Sequence, residues 1–202
     1  MMKETGLLMK GPMVRAILDG TKTMTRRVIK PQPPVGAVWD EGAKLFALPG
    51  SSLGVMRNCP YGQVGDLLYV RELLREVNGV WFYDADKAPV IVATSDVLAM
   101  VTWAHHKEQD YCSSMFMPKW ACRIWLEITG VRVERVQEIS INDAFFEGTE
   151  SIMPYLRGDG PWDDPYVLRY FKELWDSINA KRGYGWDANC WLWVLNFKRL
   201  TP

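Results

Sequence analysis

The residues best suited to chemistry in this sequence form one short turn near the N-terminus. Threonine hydroxyls alternate there with cationic side chains directly after a glycine, at Gly20, Lys22, Thr23, Thr25, Arg26 and Arg27. Lysine and arginine donate hydrogen bonds to phosphate or carbonyl oxygens, and a threonine hydroxyl becomes a nucleophile when a base lies beside it. The turn therefore predicts a binding or catalytic site. A basic turn that only complements the dipole of a preceding helix is the alternative interpretation.

Two further polar residues are weaker candidates for the same site. Arg71 and Glu72 end and follow a predicted strand at 67–71, and small ligands often bind where strands end around the mouth of a barrel. An exposed ion pair would explain these two residues equally well. The serines lack a Gly-x-Ser-x-Gly context and the chain has no glycine-rich phosphate loop. We therefore predict neither a hydrolase elbow nor the use of a nucleoside triphosphate.

Composition and cysteine spacing limit the class of protein. Lys+Arg and Asp+Glu number 24 each, so a nucleic-acid partner would have to bind a local patch. The four cysteines include no Cys-x-x-Cys pair, and together with His105 and His106 they match no standard zinc spacing. We predict free thiols, no metal and no cofactor. No apolar run reaches the roughly 18 residues of a membrane span and the N-terminus is a poor signal peptide, so the expected location is the cytoplasm.

Periodicity and turn signals predict an α+β domain. Apolar residues recur at helical spacing between capping and stop residues near 12–19, 140–148 and 165–180. Strands are expected at 6–10, 25–29, 67–71, 79–83, 90–93, 123–136 and 189–198. The stretch 31–65 is rich in Pro, Gly and Ser and predicts a long loop with one hairpin. No element is assigned to 95–120, and 149–163 is expected to be irregular.

The strand predicted at 123–136 has the strongest β pattern, and this pattern changes phase in the middle. Apolar residues alternate in one phase from Ile124 to Ile128 and in the other at Val131 and Val133. A one-residue slip turns every following side chain to the opposite face, so the change at Gly130 predicts a bulge or a tight bend. Small barrels use such corners to close. We expect this strand and the 189–198 strand to be central in a closed or nearly closed barrel of about six strands.

The spacing Gly20-x-Lys22-x-x-Thr25-x-Arg27 resembles the ASCH signature Gly-x-Lys-x-x-(Glu or Thr)-x-Arg. Further along, Gly-Asp-Leu-Leu-Tyr-Val at 65–70, Glu-Ile-Thr-Gly-Val at 127–131 and Trp-Val-Leu-Asn-Phe-Lys at 193–198 resemble three strands of that family. The resemblance implies one PUA-like domain over 1–202, a small β-barrel with about three helices, and insertions near 31–60, 84–120 and 149–187. Segments 11–18 and 175–179 are similar to the larger ASCH proteins of phages and prophages.

The motif is also similar to that of the small bacterial N4-acetylcytidine amidohydrolases, Gly-Arg-Lys-Thr-Ile-Thr-Ile-Arg. This resemblance implies catalytic roles for Lys22 and Thr25, which stand at the matching positions. The segment 139–147 is similar to the family's short helix after the central strand, and it places Glu147 in the third catalytic role. In that scheme Thr25 attacks the amide carbonyl, Lys22 accepts its proton, and Glu147 assists protonation of the leaving group.

The resemblance thus implies a nucleoside- or RNA-directed protein whose expected reaction is the deacylation of N4-acetylcytidine and whose expected partner is a modified nucleoside or single-stranded RNA. The expected ligand-binding residues are Gly20, Thr23, Arg26, Arg27, Arg71 and Glu72. Two alternatives stay open. In a non-catalytic RNA-binding module, Lys22, Arg26 and Arg27 would contact phosphates and base edges. In a ribonuclease, a lysine and a hydroxyl would act on a phosphodiester.

Overall fold

The computed structural model describes residues 2–48, 54–99, 103, 109–149 and 165–200. Its strands are, in chain order, β1 (Glu4–Leu8), β2 (Met24–Val28), β3 (Val38–Asp40), β4 (Leu45–Ala47), β5 (Gly54–Met56), β6 (Leu67–Arg71), β7 (Leu74–Val77), β8 (Val80–Tyr83), β9 (Tyr111–Cys112), β10 (Trp125–Arg135) and β11 (Trp191–Leu200). The α-helices whose whole length lies in the described residues are α1 (Gly11–Leu18), α2 (Ile141–Phe146) and α3 (Pro165–Asn179). Short 3-10 turns lie at Thr94–Asp96, Lys119–Ala121, Val136–Glu138, Ala180–Arg182 and Trp186–Ala188.

The largest sheet has five strands in the order β1-β6-β10-β11-β2. Strands β1 and β6 are parallel, and every other neighbouring pair is antiparallel. The two longest strands, β10 and β11, lie inside the sheet, as the sequence predicts. Their register shifts between Ile128 and Gly130, where Ile128 faces Phe197 and Gly130 faces Asn196. The bulge predicted at Gly130 is confirmed.

The expected closed barrel is wrong for the described strands, although the α+β class is confirmed. None of the three sheets closes on itself within the described residues, and β1 and β2 remain the two edges of the large one. A closed barrel would need backbone hydrogen bonds between β1 and β2. Here a side chain connects the two edges instead: Arg27 Nη2 donates to the carbonyl oxygen of Leu8 at 3.0 Å. The N–H of the next residue, Met9, donates to the carbonyl of Arg71, so this segment stays paired with β6 until α1 begins.

Two small sheets contain the other six strands, and one of these, β8, corresponds to the strand predicted at 79–83. The 31–65 region contains the sheet β3-β4-β5, whereas one hairpin was predicted, and the order β8-β7-β9 forms the third sheet. The strand predicted at 90–93 is wrong: only an isolated bridge joins Phe82 and Pro89, followed by a bond from Val90 to Trp81. Proline has no N–H to continue a ladder. The irregular stretch predicted at 149–163 lies almost wholly outside the described residues.

Alternation places a separate core on each side of the large sheet. One face, with Leu68, Leu126 and Ile128, packs against Val14 and Ile17 of α1. The other side has a second core in which helices α2 and α3 pack near the start of β11, and its members are Val136, Ile139, Ala144, Val167, Phe171, Trp175, Cys190 and Leu192. Strand β2 lies at the edge between these cores, so its alternate side chains enter different surroundings. Among the described helices, none combines the length and apolarity needed to cross a membrane.

Candidate functional site

The predicted turn connects α1 to β2 and is fixed at both ends. Gly20 has a φ of +79°, a left-handed conformation that glycine adopts without strain. The N–H of Lys22 then donates to the carbonyl of Ala16 at 3.0 Å, and the N–H of Thr23 donates to the carbonyl of Phe146 at 3.0 Å. The second bond joins the turn to the last residue of α2. It brings together two parts of the chain that are far apart in sequence.

Lys22 and Glu147 form a buried ion pair at this junction. Their residues are only 3% and 6% exposed, and Lys22 Nζ lies 2.8 Å from Glu147 Oε2 across 125 residues of sequence. The same nitrogen donates to the carbonyl of Glu147 at 2.8 Å and to that of Met24 at 2.7 Å. All three ammonium protons therefore have acceptors. Two of the three residues to which the resemblance assigns catalytic roles are therefore in direct contact.

The surroundings of Lys22 lower the pKa of its side chain, so it loses a proton more readily than it would in water. Burial lowers the pKa of its ammonium group, the carboxylate of Glu147 raises it, and the nearby charges of Arg27 and Arg26 lower it, with a net decrease from 10.5. A buried lysine whose pKa is lowered can act as a general base once it is neutral. Glu147 is the nearest group able to receive that proton.

Arg26 extends the pair into a larger set of charges, which we call the Arg26 network. Its side chain is 1% exposed and contacts Glu147 at 3.3 Å, Asp143 at 2.6 Å and Glu134 at 2.9 Å. Arg132 contacts the same Glu134 and also Asp143, at 2.5 Å. With Lys22, the Arg26 network holds three cations and three carboxylates. Burying so many charges is tolerated only because each has partners.

Helix α2 positions two of these carboxylates through its ends. Ser140 caps the first turn by accepting a 3.1 Å hydrogen bond from the N–H of Asp143. Glu147 follows the last helical residue and precedes Gly148, whose φ is +79°. A Cβ at position 148 would lie 2.9 Å from Cβ of Ala16 and 3.1 Å from Cβ of Lys22. Only glycine permits this close approach between α1 and the end of α2.

Thr25 is buried beside the network and has a different partner. It is 1% exposed, and its hydroxyl accepts a 2.9 Å hydrogen bond from Arg27 Nη1. In a strand the side chains of Thr25 and Arg26 point to opposite faces. Among the described contacts there is no hydrogen bond between Thr25 and Lys22. The two are nevertheless adjacent, since Lys22 Nζ binds the carbonyl of Met24, which is in the peptide unit that leads to Thr25.

Sequence reasoning missed several residues of this site. Tyr61 hydrogen-bonds to Arg27, and Glu134, Asp143 and Arg132 belong to the Arg26 network. Arg132 and Glu134 could have been recognised as site candidates because they are charged residues inside a strand with a strong apolar pattern. Asp143 stood at a helix first turn, where an acid is also expected for capping alone.

Arg71 and Glu72 have other partners. Both oxygens of Glu72 accept from Arg123 at 2.9 Å, and Glu72 is only 1% exposed. Arg71 donates to the carbonyl of Met115. None of the described contacts joins either residue to Lys22 or Thr25. Their expected role in ligand binding stays a prediction, and the ion pair that Glu72 forms is with Arg123 and is largely buried.

The positive patch suggested by the sequence is largely internal. Lys22 and Arg26 are each 3% exposed, and their charges are compensated by acids from distant positions. Gly20 is exposed, whereas Thr23 and Arg27 are half-buried. Metal binding has no support in the described part of the chain, which contains no group of three potential ligands. His105 and His106 lie outside that part.

No family model and no curated protein matches this chain. Solved structures that do match include the ASCH domain from Lactobacillus crispatus JV V101, at 13% identity and a TM-score of 0.42, covering 98% of this chain and 79% of that one. A protein from Enterococcus faecalis V583, of the family DUF984, matches at 9% identity and a TM-score of 0.42, covering 99% and 81%. The first of these structures is an ASCH domain, the family that the motif of this sequence resembles. The roles proposed for the residues rest on the contacts of the site.

Proposed function

We propose that this chain is a nucleoside- or RNA-directed protein that hydrolyses the acyl amide of a modified cytidine, with Thr25, Lys22 and Glu147 as its catalytic residues. The main supporting observation is the buried contact of 2.8 Å between Lys22 and Glu147, placed one peptide unit from Thr25. These are the residues that the motif resemblance implies. The reaction needs a nucleophile, a base and a proton donor, and the three side chains can supply them.

The proton transfers start within the ion pair. A proton moves from Lys22 Nζ to Glu147 Oε2, which burial favours because it converts two buried charges into two neutral groups. The neutral amine of Lys22 then leaves the Met24 carbonyl and forms a hydrogen bond with the Thr25 hydroxyl. It takes the hydroxyl proton as Thr25 Oγ bonds to the acyl carbon. When the bond from that carbon to N4 breaks, Glu147 gives its proton to N4 and cytidine leaves.

Hydrolysis of the acyl-threonine completes the cycle. A water oxygen bonds to the acyl carbon while Glu147 takes a water proton, and that proton returns to Thr25 Oγ as the ester bond breaks. The acid is released and the ion pair is restored. Arg27 supports both steps, because its guanidinium already donates to Thr25 Oγ at 2.9 Å and would stabilise negative charge on that oxygen.

The proposal is tested by chromatography of N4-acetylcytidine incubated with the purified protein. We expect cytidine from the wild type and a fall of about a thousand-fold or more in Thr25→Val, since residues that act as one unit fail together. Lys22→Met should be about as damaging, whereas Glu147→Gln should slow turnover and retain binding.

Thr21→Val is the matched control because Thr21 is exposed and its hydroxyl bonds only to the carbonyl of Ala16 among the described contacts. Equal turnover by the wild type and Thr25→Val would remove Thr25 from the reaction. A similar loss in Thr21→Val would show that the assay reports damage to the fold.

One observation favours a non-catalytic binding module as the second candidate. In the resting geometry all three protons of Lys22 are donated elsewhere, and the Thr25 hydroxyl contacts Arg27 and not a base. Such a site could hold a nucleoside carbonyl without attacking it. Tight binding of N4-acetylcytidine in equilibrium dialysis, with no cytidine formed, would support this candidate against the amidohydrolase.

A further inference from the structure

A second group of cations lies at the surface, near the point where β2 ends and β11 begins. It contains the exposed Lys30 and Arg182 and the half-buried Arg135, together with three half-buried rings, those of Tyr184, Trp186 and Trp191. We call these six residues the Trp191 surface. Because Lys22 and Arg26 are buried, the Trp191 surface is better placed than the predicted turn to meet a large anionic partner.

Two of its cations lie over aromatic rings. Lys30 Nζ is 5.0 Å from the centroid of the Tyr184 ring, and Arg135 Cζ is 4.2 Å from that of Trp191. These distances are typical of cation–π contacts, which hold the charge in one place. A guanidinium stacked on an indole has a second planar face, and nucleic-acid bases stack on such planes as they do on aromatic rings.

Hydrogen bonds make this surface rigid although its segments are distant in sequence. Gln32 and Trp191 exchange two bonds, Nε2 to the Trp191 carbonyl at 3.0 Å and the Trp191 N–H to Oε1 at 2.8 Å. Arg135 donates to the carbonyl of Asn189 at 2.9 Å, and Gln137 donates to that of Trp186 at 3.0 Å. A surface fixed before binding loses less entropy when a ligand arrives.

The charge of these segments is positive in a chain that is neutral overall. Segments 30–32, 135–138 and 180–191 contain four cations, Lys30, Arg135, Lys181 and Arg182, and two acids, Glu138 and Asp187. One acid is engaged within the fold, since Glu138 accepts a 2.7 Å bond from the N–H of Arg135. The other, Asp187, faces a further cation at 3.8 Å. The excess charge favours the phosphates of a nucleic acid.

We propose that the Trp191 surface binds single-stranded RNA, with phosphates on Lys30 and Arg182 and a base stacked on the Arg135–Trp191 pair. This inference rests on the RNA-directed part of the proposed function and adds the place where the strand is held. Lys30 is five residues from Thr25 along extended backbone, which corresponds to about 16 Å. A single-stranded RNA bound at the Trp191 surface could therefore place another of its nucleotides at the Thr25 site.

The test measures the binding of a fluorescently labelled 12-nucleotide oligouridine RNA by anisotropy over a series of salt concentrations. In the triple variant Lys30→Gln, Arg135→Gln, Arg182→Gln we expect about a ten-fold or greater loss of affinity. We also expect a flattening of the slope of log affinity against log salt by about 1.4, because the phosphate contacts of Lys30 and Arg182 are lost and each contributes about 0.7 on a single strand. In Arg135→Lys the slope should be kept while affinity falls, since charge remains and the stacking plane is lost.

The matched control removes three exposed cations elsewhere, as Lys44→Gln, Arg75→Gln, Lys87→Gln, with the same change in net charge. An equal loss in this control, an unchanged slope in the surface variant, or no RNA binding by the wild type would each overturn the proposal. Thermal unfolding of each variant verifies that it is folded. Nucleoside turnover should be unchanged in both triple variants. Wild-type turnover without RNA binding would therefore reject the Trp191 surface alone, and RNA binding without turnover would reject the amidohydrolase alone.

Discussion

The protein contains two groups of largely buried charge, and they are built differently. In the Arg26 network, three carboxylates share two guanidinium groups and one ammonium group. In the second group, which we call the Arg123 cluster, one guanidinium binds both oxygens of Glu72 at 2.9 Å and both oxygens of Asp86 at 2.8 and 2.9 Å. The ring of Tyr83 covers the Arg123 guanidinium at 3.8 Å.

The two groups differ in their capacity for acid–base chemistry. The Arg123 cluster joins the loop after β6 and the loop after β8 to the start of β10, so it clamps the third sheet to the large one. Burial raises the pKa of Glu72. The pKa of Arg123 is lowered by burial but raised by its contacts with Glu72 and Asp86, and the net change is an increase. The two hydrogen bonds from Arg123 stabilise the ionised form of Glu72, so the Glu72–Arg123 pair is charged at neutral pH. Only the Arg26 network contains a group, Lys22, that can release a proton.

The largest expected effect comes from removing the central arginine of each group. Arg26→Met leaves three carboxylates with fewer cations in a buried place, and we expect it to lower the free energy of unfolding by about 3–5 kcal/mol. Arg123→Met should cost less, about 1–3 kcal/mol, because the Arg123 side chain is 20% exposed and only one of its two carboxylate partners, Glu72, is buried. Urea unfolding at equilibrium measures both. Equal losses would contradict the distinction between the two groups.

A smaller effect is expected from two glycines, one beside the Arg26 network and one in the turn between β7 and β8. Gly148→Ala combines a left-handed backbone with contacts to Ala16 and Lys22 and should destabilise by about 2–3 kcal/mol. Gly79 in the β7–β8 turn has a φ of +82° and open space around it, so Gly79→Ala should cost about 1 kcal/mol. Only Gly148→Ala should also reduce turnover, because it displaces Lys22. Loss of turnover in both variants would show that the Lys22 contact is not the cause.

The smallest expected effect is a change in folding stability at alkaline pH that depends on Lys22 alone. Its pKa is lowered in the folded protein, chiefly by burial, and is near 10.5 in the unfolded chain. Between these values the unfolded chain binds more protons, so the stability contributed by Lys22 increases as pH rises through that window. Below the lowered pKa both states are protonated and this contribution is flat.

Lys22→Met should remove that rise, and urea unfolding from about pH 8 to 10.5 in the wild type and the variant measures the difference. Tyr83, whose pKa burial raises to about 12, and Cys122, whose pKa burial raises to about 11, are present in both proteins and cancel. Parallel stability curves for the two proteins would mean that Lys22 titrates alike in the folded and unfolded states.

Local patterns predicted the elements of this fold better than their assembly. Strand β6, the bulge at Gly130 and the cap at Ser140 depend on alternation and turn chemistry within a few residues, and all three are confirmed. Alternation indicates which face of a strand is buried and not which edges meet, so the closed barrel was wrong. Strands of three residues, such as β4, are too short to show a period.

The site was predictable in part for the same reason. The motif resemblance brought Lys22 and Glu147 together, and the structure has that contact. It also suggested an exposed, phosphate-binding Arg26, because the carboxylates that enclose this side chain are more than a hundred residues away in sequence. A local count of charges cannot show such pairing. The partner of Glu72 was not predictable for the same reason, since Arg123 lies far along the chain.

The pairing of β2 also has a consequence for how the protein is made. Within the described sheet β2 has one neighbour, β11, which leaves the ribosome long after β2 does. Until then Arg26 and Lys22 have neither their strand ladder nor, before residue 147 is synthesised, their carboxylate partners. The site is thus among the last parts of the nascent chain to form, and contacts of such long sequence separation slow folding. A ribosome stalled within α3 would hold a chain that has every residue of the Arg26 network and no β11 against which β2 could pair.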